Sequence, residues 1–122
     1  MADYTDELRI AVDAVRAAAE VCQRVQAALV TEDTLQKKDK SPVTVADFAS
    51  QAVVCGALHE HLPTDPVAAE ENADELRKDD QAEIRASVVK QVEKAWGQRT
   101  GEAPVLAAID HGTSSDGGEK GR

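Results

Sequence analysis

The chain has 122 residues and a formal net charge of −9 at pH 7. That length suits one small domain, and that charge excludes nucleic acid polymers and anionic membrane surfaces as partners. Hydrophobic residues make up 42 % of the chain but aromatics only 2 %, so the core has to be built from Ala, Val and Leu rather than from large rings.

The amino terminus, MADYTDELR, is acidic where a signal peptide would be basic, and no apolar run approaches the roughly 20 residues needed to cross a bilayer. Both features predict a cytoplasmic protein. Thr5, followed by Asp6 and Glu7, reads as a helix start, with a hydroxyl for the free amides and two carboxylates at the positive end of the dipole. Leu8, Val12, Val15, Ala19, Cys22, Val25 and Leu29 then recur at helical spacing, which predicts one long amphipathic helix to about Val30 with this stripe as its packed face.

The segment TEDTLQKKDKSP loses the apolar period and gathers charge, and Pro42 disfavours helix at Ser41, so it reads as a loop. VTVADFASQAVVCGALHEHL is apolar on more than one face, the pattern of a helix covered on most sides, closed by Pro63. Val67 to Ala69 reads as a brief strand or extended run between Pro66 and the acids that follow. A further helix is predicted from Asp80 to Trp96, opened by an Asp80–Glu83 capping box, with Ile84, Val88, Val92 and Trp96 on one face and Gly97 as the left-handed residue after it. APVLAAID reads as a buried strand, and residues 111–122, HGTSSDGGEKGR, as a mobile tail without apolar side chains. Cys22 and Cys55 each sit in an apolar helical pattern and read as free thiols packed like small hydrophobes.

Two stretches concentrate acids where chemistry is plausible: KKDKSPVTVADFASQ around Asp47, and DPVAAEE ending at Glu70 and Glu71. Asp47 follows Thr44 by three positions, a spacing that fits a capping box as well as it fits catalysis. Adjacent acids after an apolar run repel each other, so Glu70 and Glu71 suit either a bound cation or a solvated turn. Lys37, Lys38 and Lys40 read first as a solvated loop, and second as an attraction for an anionic substrate. His59 and His61 are two positions apart and diverge by about 200° on a helix, so they do not share one metal. No P-loop is present, because GGEKG lacks the required spacing and the following hydroxyl.

Together, SPVTVADFASQ, preceded by Lys37 and Asp39, and DPVAAEE resemble the amino-terminal signature of the 3'(2'),5'-bisphosphate nucleotidases, a branch of the inositol monophosphatase-like phosphatases. The interval from Asp47 to Glu70 matches that family's spacing. The resemblance implies an α/β layered sandwich, of which this chain would supply the amino-terminal part over residues 1–110, mostly helical with one to three short strands. It also implies Mg2+ as cofactor, Asp47 as the acid that helps activate the attacking water, Glu70 as a magnesium ligand, and Glu71 in support of them. Ala69 and Asn72 stand where the family has glycine and serine, a departure that touches the loop's shape and not its charge.

In that family a DPIDGT-like segment with two more metal-binding aspartates follows a Gly-rich loop, and a further metal-binding aspartate and the nucleoside-binding part lie beyond it. This sequence ends at Arg122, before such a segment, which predicts an incomplete site. The implied substrate is a small phosphorylated nucleotide, 3'-phosphoadenosine 5'-phosphate, a by-product of sulfate assimilation. Two alternatives stay open: an inositol or sugar monophosphatase of the same superfamily, and a non-catalytic helical module that binds a partner through apolar faces.

Overall fold

A computed structural model describes residues 3–31 and 41–112. The loop expected between the first two helices, its lysines, and the tail beyond Gly112 lie outside the described residues. Among the described residues five α-helices follow in order, α1 Thr5–Thr31, α2 Ser41–His61, α3 Asp74–Arg77, α4 Ala82–Trp96 and α5 Glu102–His111, with a 3-10 turn at Asp79–Gln81 ahead of α4. No helix among them is long and apolar enough to cross a membrane.

α2 is the central element. It buries Val45, Phe48, Ala49, Ala52, Val53 and Cys55 on several sides at once, as its apolar composition predicts, and α1, α4 and α5 all pack on it. α1 runs antiparallel to it: Cys22 lies beside Ser50, while Arg9 and Asp13 line the same cleft as Glu60 and His61. Val88 and Val92 of α4, with Val105 and Ile109 of α5, are fully buried and complete one core with Val21 and Leu76. Truncating Ile109 or Leu76 to alanine would cost about 2–5 kcal/mol, the usual range for a large aliphatic residue in a close-packed interior.

The predicted α1 stripe is corrected. Of its members Val25 is buried as expected, but Leu8 is 64 % and Val15 61 % exposed, with Val12, Ala19 and Cys22 also exposed, and Leu29 lies outside the described side chains; Ala14 and Val21 are buried and Ala17 packs against the core instead. α1 carries two overlapping apolar faces, and the one that presents Ala14 and Ala17 allows close approach to the Ala-rich flank of α2. Cys55 alone behaves as a packed hydrophobe. Both cysteines are free, as expected.

Three local expectations also change. α2 begins at Ser41, since Pro42 occupies the first turn, where an N–H has no intrahelical partner in any case. Asp47 therefore sits in the second turn, and the Thr44–Asp47 capping box does not describe it. The Asp80–Glu83 box does not form either: Asp80 lies in the 3-10 turn, and Gln81 precedes α4 without a side-chain cap. Gly97 does take the left-handed conformation, φ 72°, after α4.

No strand occurs among the described residues. APVLAAID is helix α5, with Glu102 and Pro104 in its first turn and Val105, Leu106, Ala108 and Ile109 buried at helical spacing. Its Ala and Leu residues favour helix once that face has a partner. His111 closes α5 rather than opening a tail. Residues 66–69 are irregular, and the backbone partners that a neighbouring strand would have supplied come from other groups.

Candidate functional site

Those groups build the site. Gln51 lies one helical turn after Asp47, so the two share a face of α2. Its side-chain Nε2 donates to the Glu71 carbonyl at 2.8 Å and to the Ile109 carbonyl at 2.9 Å, and its Oε1 accepts the Glu71 N–H at 2.8 Å. On either side of this clasp, the Ala69 N–H donates to the Gly112 carbonyl at 2.7 Å and the Ala73 N–H to Asp110 Oδ1 at 3.1 Å. The segment is thus pinned at residues 69, 71 and 73, in the alternate pattern of a strand edge.

Asp110 uses its other oxygen as well. Arg77 Nη2 donates to Asp110 Oδ2 at 2.8 Å and Nη1 to Asp74 Oδ1 at 2.7 Å, which ties the short helix α3 to the end of α5. Arg85 completes the junction, donating to the Leu76 carbonyl at 2.6 Å and pairing with Glu102 at 3.2 Å. The part-buried bonds of Gln51 and the Ala73 N–H fix the acidic loop to α2 and α5, and the exposed Arg77 pairs tie α3 to the same end of α5.

Of the acids singled out in the sequence, Asp47 and Glu70 are exposed and Glu71 is half-buried. Burial raises the Glu71 carboxyl above the ordinary glutamate range, and the charges of Glu70 and then Asp47 push it further up. The charges of Glu70 and Asp47 therefore both reach Glu71, which ties the three carboxylates into one electrostatic cluster. Glu71, read as a supporting residue, is its half-buried member.

The chemistry of the donor set fits a hard cation, since all three side chains offer oxygen and their mutual repulsion would be relieved by positive charge. By themselves they do not make a metal site: among the described residues no group of three or more His, Cys, Asp or Glu stands in an arrangement able to hold a metal ion. An open cleft of ≈ 1040 Å³ lies apart from them, lined by Arg9, Asp13, Glu60, His61 and Trp96 rather than by Asp47, Glu70 or Glu71.

Two polar groups of this region were not read from the sequence. Gln51 was legible as a polar residue four positions after Asp47 in a largely apolar helix. His111, placed in a tail, instead packs its ring edge-on to His59 with centroids 4.6 Å apart, and its Nε2 is buried without a hydrogen-bond partner. His59 and His61 are exposed at the end of α2.

The comparisons point to one class of relative, the phosphoric monoester hydrolases. No family model matches the chain. It is 42 % identical over 128 residues to the 3'(2'),5'-bisphosphate nucleotidase 1 of Arabidopsis thaliana, covering 98 % of this chain and 36 % of that protein. It is 34 % identical over 130 residues to the 3'(2'),5'-bisphosphate nucleotidase 1 of Candida albicans, covering 98 % and 35 %. A putative mitochondrial 3'(2'),5'-bisphosphate nucleotidase of Arabidopsis thaliana is 36 % identical over 113 residues, covering 91 % and 28 %. Over nearly its whole length, then, the chain is homologous to proteins named 3'(2'),5'-bisphosphate nucleotidase, and it spans about a third of theirs.

Proposed function

We propose that this chain is part of a magnesium-dependent phosphatase that removes the 3'-phosphate of 3'-phosphoadenosine 5'-phosphate. The observation that carries the reading is the similarity to bisphosphate nucleotidases over 98 % of the chain. The acids support it, because the charges of Glu70 and Asp47 reach the Glu71 carboxyl and a cation would relieve that repulsion.

Glu70 would hold magnesium, and Asp47 would accept a proton from the attacking water. Magnesium, when bound, would supply positive charge that stabilises the attacking and leaving oxygens of a phosphate monoester. Glu71, anchored through its backbone, would keep the loop that carries Glu70 at a fixed distance from α2. One or two glutamates do not strip magnesium of its water shell, so further ligands have to come from beyond the described residues. The 122-residue chain alone is therefore expected to release no phosphate.

Two assays test this. Joined to the remaining length of the Arabidopsis thaliana relative, the chain should release phosphate from adenosine 3',5'-bisphosphate only when magnesium is present, and Asp47→Asn should abolish that release. An active Asp47→Asn chimera, or release that persists in chelator, would refute the assignment. We further assign the protein to the cytoplasm, on the strength of its free thiols. Fractionation of cells expressing it would decide between that and an organelle, a compartment that the name of one relative includes.

A further inference from the structure

We infer that Gln51 is the positioning residue of the acidic loop: its side-chain amide fixes the backbone of Glu71 and so sets Glu70 and Glu71 beside Asp47. The inference deepens the metal-site reading above and rests on it.

The geometry is that of a strand neighbour supplied by a side chain. Gln51 accepts the N–H of Glu71 and donates to the carbonyl of the same residue, the paired exchange that two residues make across an antiparallel ladder. Its second amide hydrogen has its own acceptor, the Ile109 carbonyl in the last turn of α5. The orientation of the amide follows from the partners, since only an oxygen can accept from Glu71 N–H and only nitrogen can donate to two carbonyls.

Few side chains can replace it. Glutamate keeps the acceptor and loses both donors, methionine keeps the length and loses everything polar, and asparagine is one methylene too short to reach from the same helical position. The need for a clasp is electrostatic. Asp47, Glu70 and Glu71 repel one another, and an extended loop with no sheet beside it would relax away from α2. Gln51 sits on the α2 face that carries Asp47, so the bonds that resist this relaxation start from the very helix the loop must stay near. Ala69 N–H on Gly112 and Ala73 N–H on Asp110 hold the flanks, but neither reaches α2.

The test uses the isotope-labelled chain, with Mn2+ as the probe for a hard divalent cation. In the wild type, the Glu71 amide should exchange slowly with solvent, and Mn2+ should broaden the amide signals of Asp47, Glu70 and Glu71 first. In Gln51→Met, exchange at Glu71 should quicken at least tenfold, and several times more Mn2+ should be needed for the same broadening. Val92→Ala, a core truncation in α4, should lower the melting temperature and leave both readouts unchanged. A folded Gln51→Met that keeps wild-type exchange and wild-type Mn2+ response would overturn the inference. Should Gln51→Met fail to fold, Gln51→Glu decides: it should lose part of the Glu71 protection at neutral pH, and full protection would count against the clasp. Absence of broadening in the wild type that persists in the chimera with the Arabidopsis thaliana relative, which supplies the remaining ligands, would instead overturn the metal-site reading, while the exchange data would still show whether Gln51 holds the loop.

Discussion

Gly112 stands so close to Gln51 that a Cβ added to it would lie 2.7 Å from Nε2. The same atom would lie 2.7 Å from the Ala69 Cβ and 3.3 Å from Cys55 Sγ, so there is no side on which a methyl group fits. Gly112→Ala should cost about 1–3 kcal/mol, the usual penalty for overpacking. Gly97→Ala meets nothing within 4 Å and should cost about 1–2 kcal/mol through its left-handed backbone alone. Thermal denaturation reads both, and Glu71 amide exchange should respond to the first substitution and not to the second.

The Glu71 carboxyl is raised by burial and by Glu70 and Asp47. A raised acid stabilises the fold fully below its unfolded value of about 4.3, and that stability is lost as pH rises through the higher folded value. At pH 7 without metal, Glu71→Gln should therefore melt at a higher temperature than the wild type, and the difference should vanish in acid. A variant that melts lower at pH 7 would mean that the charged carboxylate is satisfied by a partner.

His111 behaves in the opposite sense. Burial lowers its imidazole below the ordinary value, with the nearby His59 adding to the effect. A depressed histidine contributes stability that is complete above the unfolded value of about 6.5 and is lost as pH falls through it toward the folded value. Between about pH 7.5 and 5.5 the melting temperature should fall, and His111→Phe, which keeps a ring against His59, should flatten that slope. An unchanged slope in the variant would place the titrating group elsewhere.

The two faces of α1 make a sharper test of packing. Val21 is 0 % and Val15 61 % exposed. Val21→Ala should lose about 1–3 kcal/mol, while Val15→Ala should stay within about 0.5 kcal/mol of the wild type, both read by denaturant titration. Similar losses at the two positions would restore the Leu8–Val12–Val15 stripe as the packed face.

Local pattern was enough to place α1, α2 and α4, because each repeats small apolar residues at helical spacing over many turns and ends at a recognisable signal such as Gly97. It drew attention to Asp47, Glu70 and Glu71 but left a helix cap and a solvated turn open beside chemistry, and their roles followed from the resemblance of SPVTVADFASQ and DPVAAEE to the nucleotidase signature. Which face of α1 packs was not legible: Ala14, Ala17 and Val21 compete with Leu8, Val12 and Val15, and the choice depends on how closely α2 approaches. APVLAAID suits strand or helix by composition, and its conformation follows from whether a sheet or a helix lies beside it.

The acidic loop shows the same division. Sequence alone determined that three carboxylates lie in two short segments, because charge is a property of residues. Tertiary structure decided that they influence one another, because the loop's backbone is held by the Gln51 amide, the end of α5 and Asp110, groups distant in the chain whose donors and acceptors meet only when α2 and α5 pack together.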